Sequence, residues 1–255
     1  MVQEITPLVL TFNEAPNIRR TLDKLTWAKE ILVVDSFSTD ETLDIAQSFP
    51  QVRVVQRKFD TFARQCNFGL QQIKTEWVQS LDADYVLSDE LNRELAEINP
   101  LPEVAGYRAK FAYCIDGRPL RSSLYPPRTV LYRKDRARYS DEGHSHRVEI
   151  DGPVLPLGGV IYHDDRKPLN RWFHEQNRYA ELEAQHLLTS NGNLNLPDRL
   201  RRSIVLAPGL VFLYTLFGKG LIFDGWRGWY YATQRTLAEM MVSLWLIEKK
   251  LRNKS

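Results

Sequence analysis

Four short apolar segments alternate with helical segments over the first third of the chain. The apolar segments occupy residues 5–10, 31–34, 52–55 and 77–81, and helical segments fall between them at 18–25, 41–48 and 62–73. Strands that alternate with helices form βαβ units, in which the strands lie parallel within one sheet. We therefore predict an α/β fold with a Rossmann-like, mainly parallel central sheet that is flanked by helices.

Polar residues follow three of these strands at the point where each strand ends. They are Thr11, Asn13 and Glu14 after the first strand, Asp35 after the second, and Asp82 and Asp84 after the fourth. In such sheets, ligands bind beyond the carboxyl ends of the strands, near a change in strand order. The pattern therefore predicts a binding site at this edge. For Asp35, a helix-capping or loop-bracing role is the alternative.

Asp82 and Asp84 stand two residues apart, so strand alternation would aim both carboxylates at one point. Two crowded carboxylates repel each other and are costly to desolvate, so we expect a cation between them. Mg²⁺ or Mn²⁺, shared with substrate phosphates, suits oxygen ligands best. A solvated acidic turn is the alternative. The chain has neither a Gly-x-Gly-x-x-Gly motif after the first strand nor a Gly-Lys-Ser/Thr loop, which disfavours a dinucleotide dehydrogenase or a P-loop NTPase.

Four motifs occur in order over roughly the first 90 residues: LVLTFNEAPNIRRTL, EILVVDSFSTDET, RQCNFGL and WVQSLDADY. Together they resemble the family 2 inverting glycosyltransferases of the GT-A fold, and most closely the branch of bacterial lipopolysaccharide-core and surface-polysaccharide β-glucosyltransferases. The resemblance implies a nucleotide-sugar donor such as a UDP-hexose and Mg²⁺ or Mn²⁺ at the Asp-x-Asp motif. It also implies attack, with inversion, by a hydroxyl of a glycan or lipid-linked acceptor.

The resemblance also assigns roles to single residues. Donor binding is assigned to Thr11, Asn13, Glu14, Asp35, Arg64, Asn67 and Asp82. Asp84 would bind the metal together with Asp82. Two departures stand out: Ser36 occupies a position where many members have a second acidic residue, and Tyr85 occupies a position where glutamate is common. The first departure concerns recognition of the nucleotide's base, and the second concerns the side of the site that faces the acceptor.

Strand patterns at residues 105–114 and 130–133 precede a polar cluster at residues 139–147. An inverting transferase needs one carboxylate to take the proton from the acceptor hydroxyl. Asp141 and Glu142 lie downstream of the metal motif, as the acidic motif does in GT-A enzymes. We predict that one of the two is the catalytic base. A salt bridge to a nearby arginine is the structural alternative.

Three histidines and one arginine complete the candidates. His163 ends an apolar stretch, and the resemblance to the GT-A core suggests a late histidine near the metal or the diphosphate. A hydrogen-bonded surface histidine is the alternative. His144 and His146 either bind the acceptor or a phosphate, or brace their loop. Arg128 follows two prolines and could clamp a diphosphate, but we expect a solvated surface charge there.

The last third of the chain combines helical patterns with an apolar run at residues 204–217. This run is too short to span a bilayer. Arg199, Arg201 and Arg202 precede it, and basic residues next to an apolar aromatic segment favour a helix that lies in the membrane interface. We predict a cytoplasmic enzyme that attaches peripherally to the inner face of an anionic cell membrane. Burial of the same face in a homodimer is the alternative.

Composition limits the remaining possibilities. The net charge of +2 over 255 residues provides no overall field for a polyanion, so we predict no nucleic-acid partner. We divide the chain into a GT-A catalytic domain at residues 1–165 and a C-terminal helical, membrane-associating appendage at 166–255. The catalytic domain would have a nucleotide-binding half at about 1–90 and an acceptor half at about 91–165.

Two other functions are compatible with a GT-A-like fold. The first is a sugar-phosphate nucleotidyltransferase, but such an enzyme generally needs a glycine-rich loop after the first strand, and residues 11–18 contain no glycine. The second is a non-catalytic scaffold in a polysaccharide assembly. The intact acidic motifs at residues 82–84 and 141–142 disfavour it.

Overall fold

The first four strands form the parallel half of a central sheet. The computed structural model of the protein describes residues 4–142, 145–189 and 196–252. The strands β1 (Ile5–Thr11), β2 (Ile31–Asp35), β3 (Val52–Gln56) and β4 (Trp77–Asp82) alternate with the helices α1 (Ile18–Asp23), α2 (Thr42–Gln47) and α3 (Phe62–Gln72). The pairings of β3 with β2, β2 with β1, and β1 with β4 are all parallel. The predicted βαβ arrangement is confirmed.

Helices cover both faces of this parallel half. On one face, Ala63, Cys66 and Leu70 of α3 pack against a layer that contains Leu8 and Leu32. On the other face, residues of α1 pack against the layer that contains Val9, Ile31 and Val33. Successive strand residues point to opposite faces, so strands buried on both sides must be continuously apolar. This explains why β1 and β2 consist of apolar runs rather than an alternating pattern.

The second half of the sheet is mixed. It contains β5 (Tyr85–Leu87), β6 (Gly106–Ile115), β7 (Arg118–Pro119), β8 (Arg128–Arg133) and β11 (Val154–His163), with helix α4 (Asp89–Glu97) after β5. The strand order is β3-β2-β1-β4-β8-β6-β11-β5, and β7 pairs with β6. β8 is antiparallel to both β4 and β6, whereas β11 is parallel to β6. No helix separates β6, β7 and β8, so their short connections favour antiparallel pairing.

A separate two-stranded sheet lies outside this order. It is formed by β9 (Ala137–Glu142) and β10 (Ser145–Ile150), which run antiparallel. The α/β class of the GT-A prediction is thus confirmed, with a parallel first half, a mixed second half and helices that follow.

By its internal packing, the chain divides into two compact units. The first comprises Met1–Pro119 and Tyr125–Lys167, and the second comprises Leu120–Leu124 and Pro168–Ser255. The second unit contains α5 (Leu169–Thr189), α6 (Leu196–Arg202), α7 (Leu206–Leu213) and α8 (Trp226–Arg252). In the described part of the chain, no helix combines the length and the apolar content that crossing a membrane requires. The functional roles predicted for residues 1–165 and 166–255 remain predictions.

One ionic cluster ties three helices of the second unit together. The Arg201 guanidinium on α6 contacts Glu183 on α5 at 3.1 Å, Glu239 on α8 at 2.8 Å and Asp198 on its own helix at 3.5 Å. Burial alone would lower the pKa of Arg201, but its hydrogen bonds to Glu239 and the charges of Glu239, Glu183 and Asp198 raise it. We predicted that Arg201 contributes to membrane attachment, but its guanidinium forms ion pairs with carboxylates of its own chain. Charge alone did not reveal this, because Glu183 and Glu239 lie far from Arg201 in sequence.

Candidate active site

Three of the predicted site residues meet at one edge of the sheet. Thr11 pairs with Asp35 in the register of β1 and β2, and Leu10 pairs with Asp82 in the register of β1 and β4. The carboxyl ends of β1, β2 and β4 therefore lie side by side. This is the edge at which open α/β sheets bind ligands.

The Asp35 carboxylate is hydrogen-bonded to residues at or just after the ends of three strands. Asp35 is completely buried. Its carboxylate accepts hydrogen bonds from Thr11 Oγ1 at 3.1 Å, from Gln56 Nε2 at 3.1 Å, and from the backbone N–H and hydroxyl of Ser38. These contacts match the loop-bracing alternative, and the donor-binding role of Asp35 and Thr11 remains a prediction.

The loop after β1 is held by the loop after β2. Asn13 adopts a positive φ of 54°, a left-handed conformation that asparagine tolerates better than most residues. Its backbone N–H donates to Ser38 Oγ at 2.8 Å, and its side-chain oxygen accepts from the Thr39 N–H at 2.7 Å. Asn13 thus uses its amide oxygen to fix the loop, which sets the direction of the chain at Glu14.

Glu14 forms an ion pair with Lys167, a residue that the sequence analysis did not select. Its Oε1 lies 2.9 Å from Lys167 Nζ, and its Oε2 accepts a hydrogen bond from Asn17 at 2.8 Å. Burial raises the pKa of Glu14 to about 7, although Lys167 acts in the opposite direction. Lys167 also lies 3.7 Å from Asp165. The sequence signal for this cluster was only a run of four charged residues at 164–167, directly after His163.

Asp84 and His163 form the centre of the candidate site. β4 ends at Asp82, and Asp84 lies in the turn before β5. Strand alternation therefore does not set the direction of Asp84, contrary to our expectation. Its carboxylate is instead fixed by His163, whose Nε2 lies 3.1 Å from Asp84 Oδ2. The contact is possible because β5 pairs antiparallel with β11, with Tyr85 opposite His163.

The electrostatics of this pair favour the ionised forms. Burial alone would raise the pKa of Asp84, but His163 lowers it, with a smaller contribution from Lys167. Burial alone would likewise lower the pKa of His163, but Asp84 and then Asp82 raise it. Asp82 therefore lies within electrostatic range of the pair. The Nδ1 atom of His163 is buried and has no hydrogen-bond partner among the described residues.

The chemistry of these donors suits a divalent cation. Two carboxylates and one imidazole are ligands that Mn²⁺ accepts, and the carboxylates alone suit Mg²⁺. Within residues 4–142, 145–189 and 196–252, no three such side chains already surround one point as metal ligands do. Asp84 and His163 are in contact, and the unpartnered Nδ1 shows that this histidine is not fully satisfied by the protein. The residue types therefore fit a metal, although they are not closed around one.

Asn67 and Arg64, both on α3, differ in their surroundings. The Asn67 side chain donates to the Tyr139 carbonyl at 2.8 Å and accepts from the Tyr139 N–H at 3.1 Å. It thereby anchors β9 two residues before Asp141. Arg64 is exposed, and its guanidinium lies 3.5 Å from Asp60. The structure thus uses Asn67 to position β9, and it leaves Arg64 accessible at the surface.

The predicted catalytic base lies at the end of β9. Asp141 pairs with His146, and Glu142 pairs with Ser145, in the register of β9 and β10. The side chains of Asp141, Glu142 and His146, and the whole of His144, lie outside the described part of the structure. The assignment of the base to Asp141 or Glu142, and the roles suggested for the two histidines, therefore remain predictions.

Arg128 is the clearest residue that the sequence analysis misjudged. We expected a solvated surface charge, but Arg128 is half-buried and its guanidinium lies 4.6 Å from the centre of the Tyr125 ring. Tyr125 in turn contacts the His163 ring, with centroids 4.9 Å apart, and its hydroxyl bonds to that of Tyr85. The register of β8 against β4 was not visible in the sequence, and this register brings Arg128 to the site.

Comparison with known proteins identifies the family. Residues 8–149 match the family described as "Glycosyl transferase family 2". A Rickettsia prowazekii protein named as a glycosyltransferase is 25% identical over 209 residues, which cover 76% of this chain and 71% of that protein. The lipopolysaccharide core biosynthesis glycosyltransferase LpsC of Rhizobium meliloti is 25% identical over 232 residues, which cover 88% of this chain and 83% of LpsC.

Solved structures give more distant likenesses. Staphylococcus aureus TarS, in complex with UDP-GlcNAc, has a TM-score of 0.47 at 17% identity, covering 93% of this chain and 90% of that chain. Glucosyl-3-phosphoglycerate synthase from Mycobacterium tuberculosis has a TM-score of 0.48 at 16% identity. The match covers 73% of this chain and 79% of that chain. The family match extends over more than half of the chain and includes the strand-end residues up to Glu142. The chain belongs to family 2 of the glycosyltransferases.

Proposed function

We propose that this glycosyltransferase moves a hexose from a UDP-hexose donor to a hydroxyl of a glycan or lipid-linked acceptor, with inversion. The observation that carries the proposal is the Asp84–His163 pair beside Asp82, at the edge where β1, β2 and β4 end. LpsC, a relative over most of its length, is named for lipopolysaccharide core biosynthesis. This supports a role in the synthesis of lipopolysaccharide or another cell-surface polysaccharide.

Asp82, Asp84 and His163 would hold a Mg²⁺ or Mn²⁺ ion. Such an ion, when bound, supplies positive charge that stabilises the departing nucleoside diphosphate. The chain's own contribution is to keep two carboxylates and one imidazole at the strand ends. His163 would bind the ion as neutral imidazole, so metal binding would release the proton that favours its contact with Asp84. Glu14, Lys167 and their partners fix the neighbouring loop.

The acceptor hydroxyl would be activated by Asp141 or Glu142. One of these carboxylates would take the hydroxyl proton while the oxygen attacks the sugar's anomeric carbon and the bond to the diphosphate breaks. Inversion by direct displacement requires no glycosyl-enzyme intermediate. Asp82 and Asp84 are too close in sequence to flank a sugar from opposite faces, as the carboxylates of a glycoside hydrolase do. Asn67 supports this role for β9 because it anchors Tyr139.

Donor hydrolysis tests the reaction class. A panel of nucleotide diphosphate sugars, assayed with Mn²⁺ and without acceptor, should reveal slow release of UDP from one UDP-hexose. An assay of Asp141→Asn and Glu142→Gln with acceptor should then show which of the two carboxylates is the catalytic base. Loss of the base should lower turnover about 10²- to 10⁴-fold and leave donor affinity nearly unchanged. Near-normal turnover in both variants would show that the base lies elsewhere.

An exposed apolar surface in the second unit supports peripheral attachment to an anionic membrane. Val205, Phe223 and Trp226 are exposed by 80%, 75% and 88%. Further exposed apolar residues nearby in sequence are Leu206, Leu210, Leu213, Tyr214 and Phe217. Arg202 is exposed at the end of α6. A basic residue near an anionic surface contributes on the order of 1 kcal/mol, and exposed aromatic residues favour the headgroup region.

Flotation with phosphatidylglycerol vesicles tests the attachment. The protein should float with these vesicles, and binding should weaken at high salt and in a Phe223→Ser, Trp226→Ser double variant. Leu101→Ser, which changes an exposed leucine of the first unit, is the matched control and should float like the unchanged protein. A monodisperse dimer that ignores the vesicles would contradict the membrane proposal.

A further inference from the structure

Arg128 begins β8 at the edge of the sheet where β4 ends, because the two strands are antiparallel. The antiparallel register pairs Trp77 with Arg133 and Gln79 with Leu131. The pairing stops there: Arg128 lies three residues before Leu131 in the chain, and Asp82 lies three residues after Gln79. The first residue of β8 therefore lies at the same sheet edge as the last residue of β4.

The guanidinium of Arg128 has unused hydrogen-bond donors. An arginine side chain has five N–H donors and no acceptor. The contact that the structure gives this group is the face of Tyr125, at 4.6 Å from the ring centre. In the described ranges, no carboxylate or carbonyl accepts a hydrogen bond from it. The side chain is thus held in place by an aromatic ring while its polar edge remains available.

Arg133, at the other end of β8, shows what a fully structural arginine looks like. Its guanidinium also lies over an aromatic ring, that of Trp77, at 4.7 Å. In addition, it forms a salt bridge with Glu76 and donates to the Val104 carbonyl at 2.9 Å. The two arginines share a strand and a stacking mode, so the missing acceptors at Arg128 mark a real difference between them.

The surroundings of Arg128 keep it positively charged. Burial alone would lower the pKa of its guanidinium, but Tyr85, Tyr125, Asp82 and Asp84 raise it. A phosphate placed beside the two carboxylates needs positive charge nearby. The planar guanidinium matches a phosphate group in a bidentate manner, which a lysine cannot do.

We propose that Arg128 is a phosphate-binding residue of the active site. This inference rests on the proposed function, because it assumes that a phosphorylated substrate reaches the strand ends. The phosphate can belong to the donor's diphosphate or to a phosphorylated acceptor. Both would use the same polar edge of the guanidinium.

Binding measurements on Arg128→Gln, Arg128→Lys and a control variant separate these sources. Arg93→Gln is the control, since Arg93 is exposed on α4 and contacts Glu90 at 3.5 Å. Calorimetry with Mn²⁺ compares UDP with uridine, which lacks phosphate. If Arg128 serves the donor, Arg128→Gln should weaken UDP binding about 10- to 100-fold and leave uridine binding unchanged. Arg128→Lys should recover part of the loss.

A second titration tests the acceptor source. Inorganic phosphate is added to each protein, with and without saturating UDP and diamagnetic Mg²⁺, and followed by phosphorus NMR. Loss of phosphate binding in Arg128→Gln, with UDP affinity intact, would assign the residue to an acceptor phosphate. Unchanged binding of both UDP and phosphate would overturn the proposal. An unchanged protein that binds no nucleoside diphosphate would contradict the proposed function instead, and the phosphate titration would still decide the role of Arg128.

Discussion

Two charged clusters in the described part of the protein differ in how their arginines are paired. In the second unit, Arg201 is surrounded by the carboxylates of Glu183, Asp198 and Glu239. At the strand ends of the first unit, Arg128 has no described hydrogen-bond acceptor and His163 has an unpartnered buried Nδ1. A buried polar group without a partner costs stability. The pairing of Arg201 therefore indicates a role in the fold, and the incomplete pairing of the strand-end cluster supports our proposal that it binds a ligand.

Asp84→Asn should cause the largest functional loss. The amide keeps the shape of the side chain but removes the charge that a hard cation requires. We expect donor hydrolysis to fall at least about 10²-fold, because the metal provides several kcal/mol of transition-state stabilisation. The measurement is the rate of UDP release from the preferred donor over a Mn²⁺ series. Asp89→Asn, an exposed Asp-to-Asn change on α4, is the control, and equal rates in both variants would remove Asp84 from the metal site.

Glu239→Gln should cause the largest loss of stability. Removing one carboxylate leaves Arg201 with an incompletely compensated charge, although Arg201 is one-third exposed and therefore partly screened. We expect the free energy of unfolding to fall by about 2–3 kcal/mol in urea titrations followed by circular dichroism. Asp84→Asn should change it much less. If Asp84→Asn instead lowers the free energy of unfolding more than Glu239→Gln does, the strand-end cluster is the one that stabilises the fold.

Glu14 should make stability depend on pH. Its pKa is raised in the folded state to about 7, so the folded protein retains a proton that the unfolded chain has already lost. The free energy of unfolding should therefore fall as pH rises from about 4.5 to 7, by about 1–2 kcal/mol from this group. The groups that face Glu14 are Lys167, Asn17 and, at longer range, Asp84. In urea titrations, the free energy of unfolding of the unchanged protein should be lower at pH 7.5 than at pH 5. The difference should be smaller in Glu14→Gln.

Phe223→Ser and Trp226→Ser should have the smallest effect on stability. Both side chains are largely exposed, so their removal takes little apolar surface out of the folded core. We expect each change to alter the free energy of unfolding by less than about 0.5 kcal/mol. A loss of more than about 2 kcal/mol would mean that this surface is packed inside the protein and is not available to a membrane.

The sequence predicted the parallel half of the sheet well, because its βαβ units are local. Apolar runs buried on both faces and helices between them leave few alternatives, and the carboxyl ends then coincide. The contacts that complete the site depend on strands far apart in sequence. Asp84 meets His163 through the β5–β11 pairing, and the antiparallel pairing of β4 with β8 brings Arg128 to the same edge of the sheet. No local pattern carries that information.

The same limit applies to three single residues whose contacts the sequence did not predict. Asn67 was predicted from family resemblance to approach the donor. In the structure its amide bonds to the backbone of β9, and its donor-binding role stays a prediction. Arg201 was selected for its charge beside an apolar run, although its partners are carboxylates on α5 and α8. Lys167 was passed over because a lysine after a charged run has no signature of its own.

The most direct test of the account is calorimetric titration of the unchanged protein with UDP, with Mn²⁺ and then with a chelator in its place. If the strand-end cluster holds a cation that binds the diphosphate, UDP should bind with Mn²⁺ and lose at least about ten-fold in affinity with the chelator. Uridine should be much less sensitive to the metal. Equal affinity for UDP with and without Mn²⁺ would contradict the claim that Asp82, Asp84 and His163 form a metal-dependent donor site.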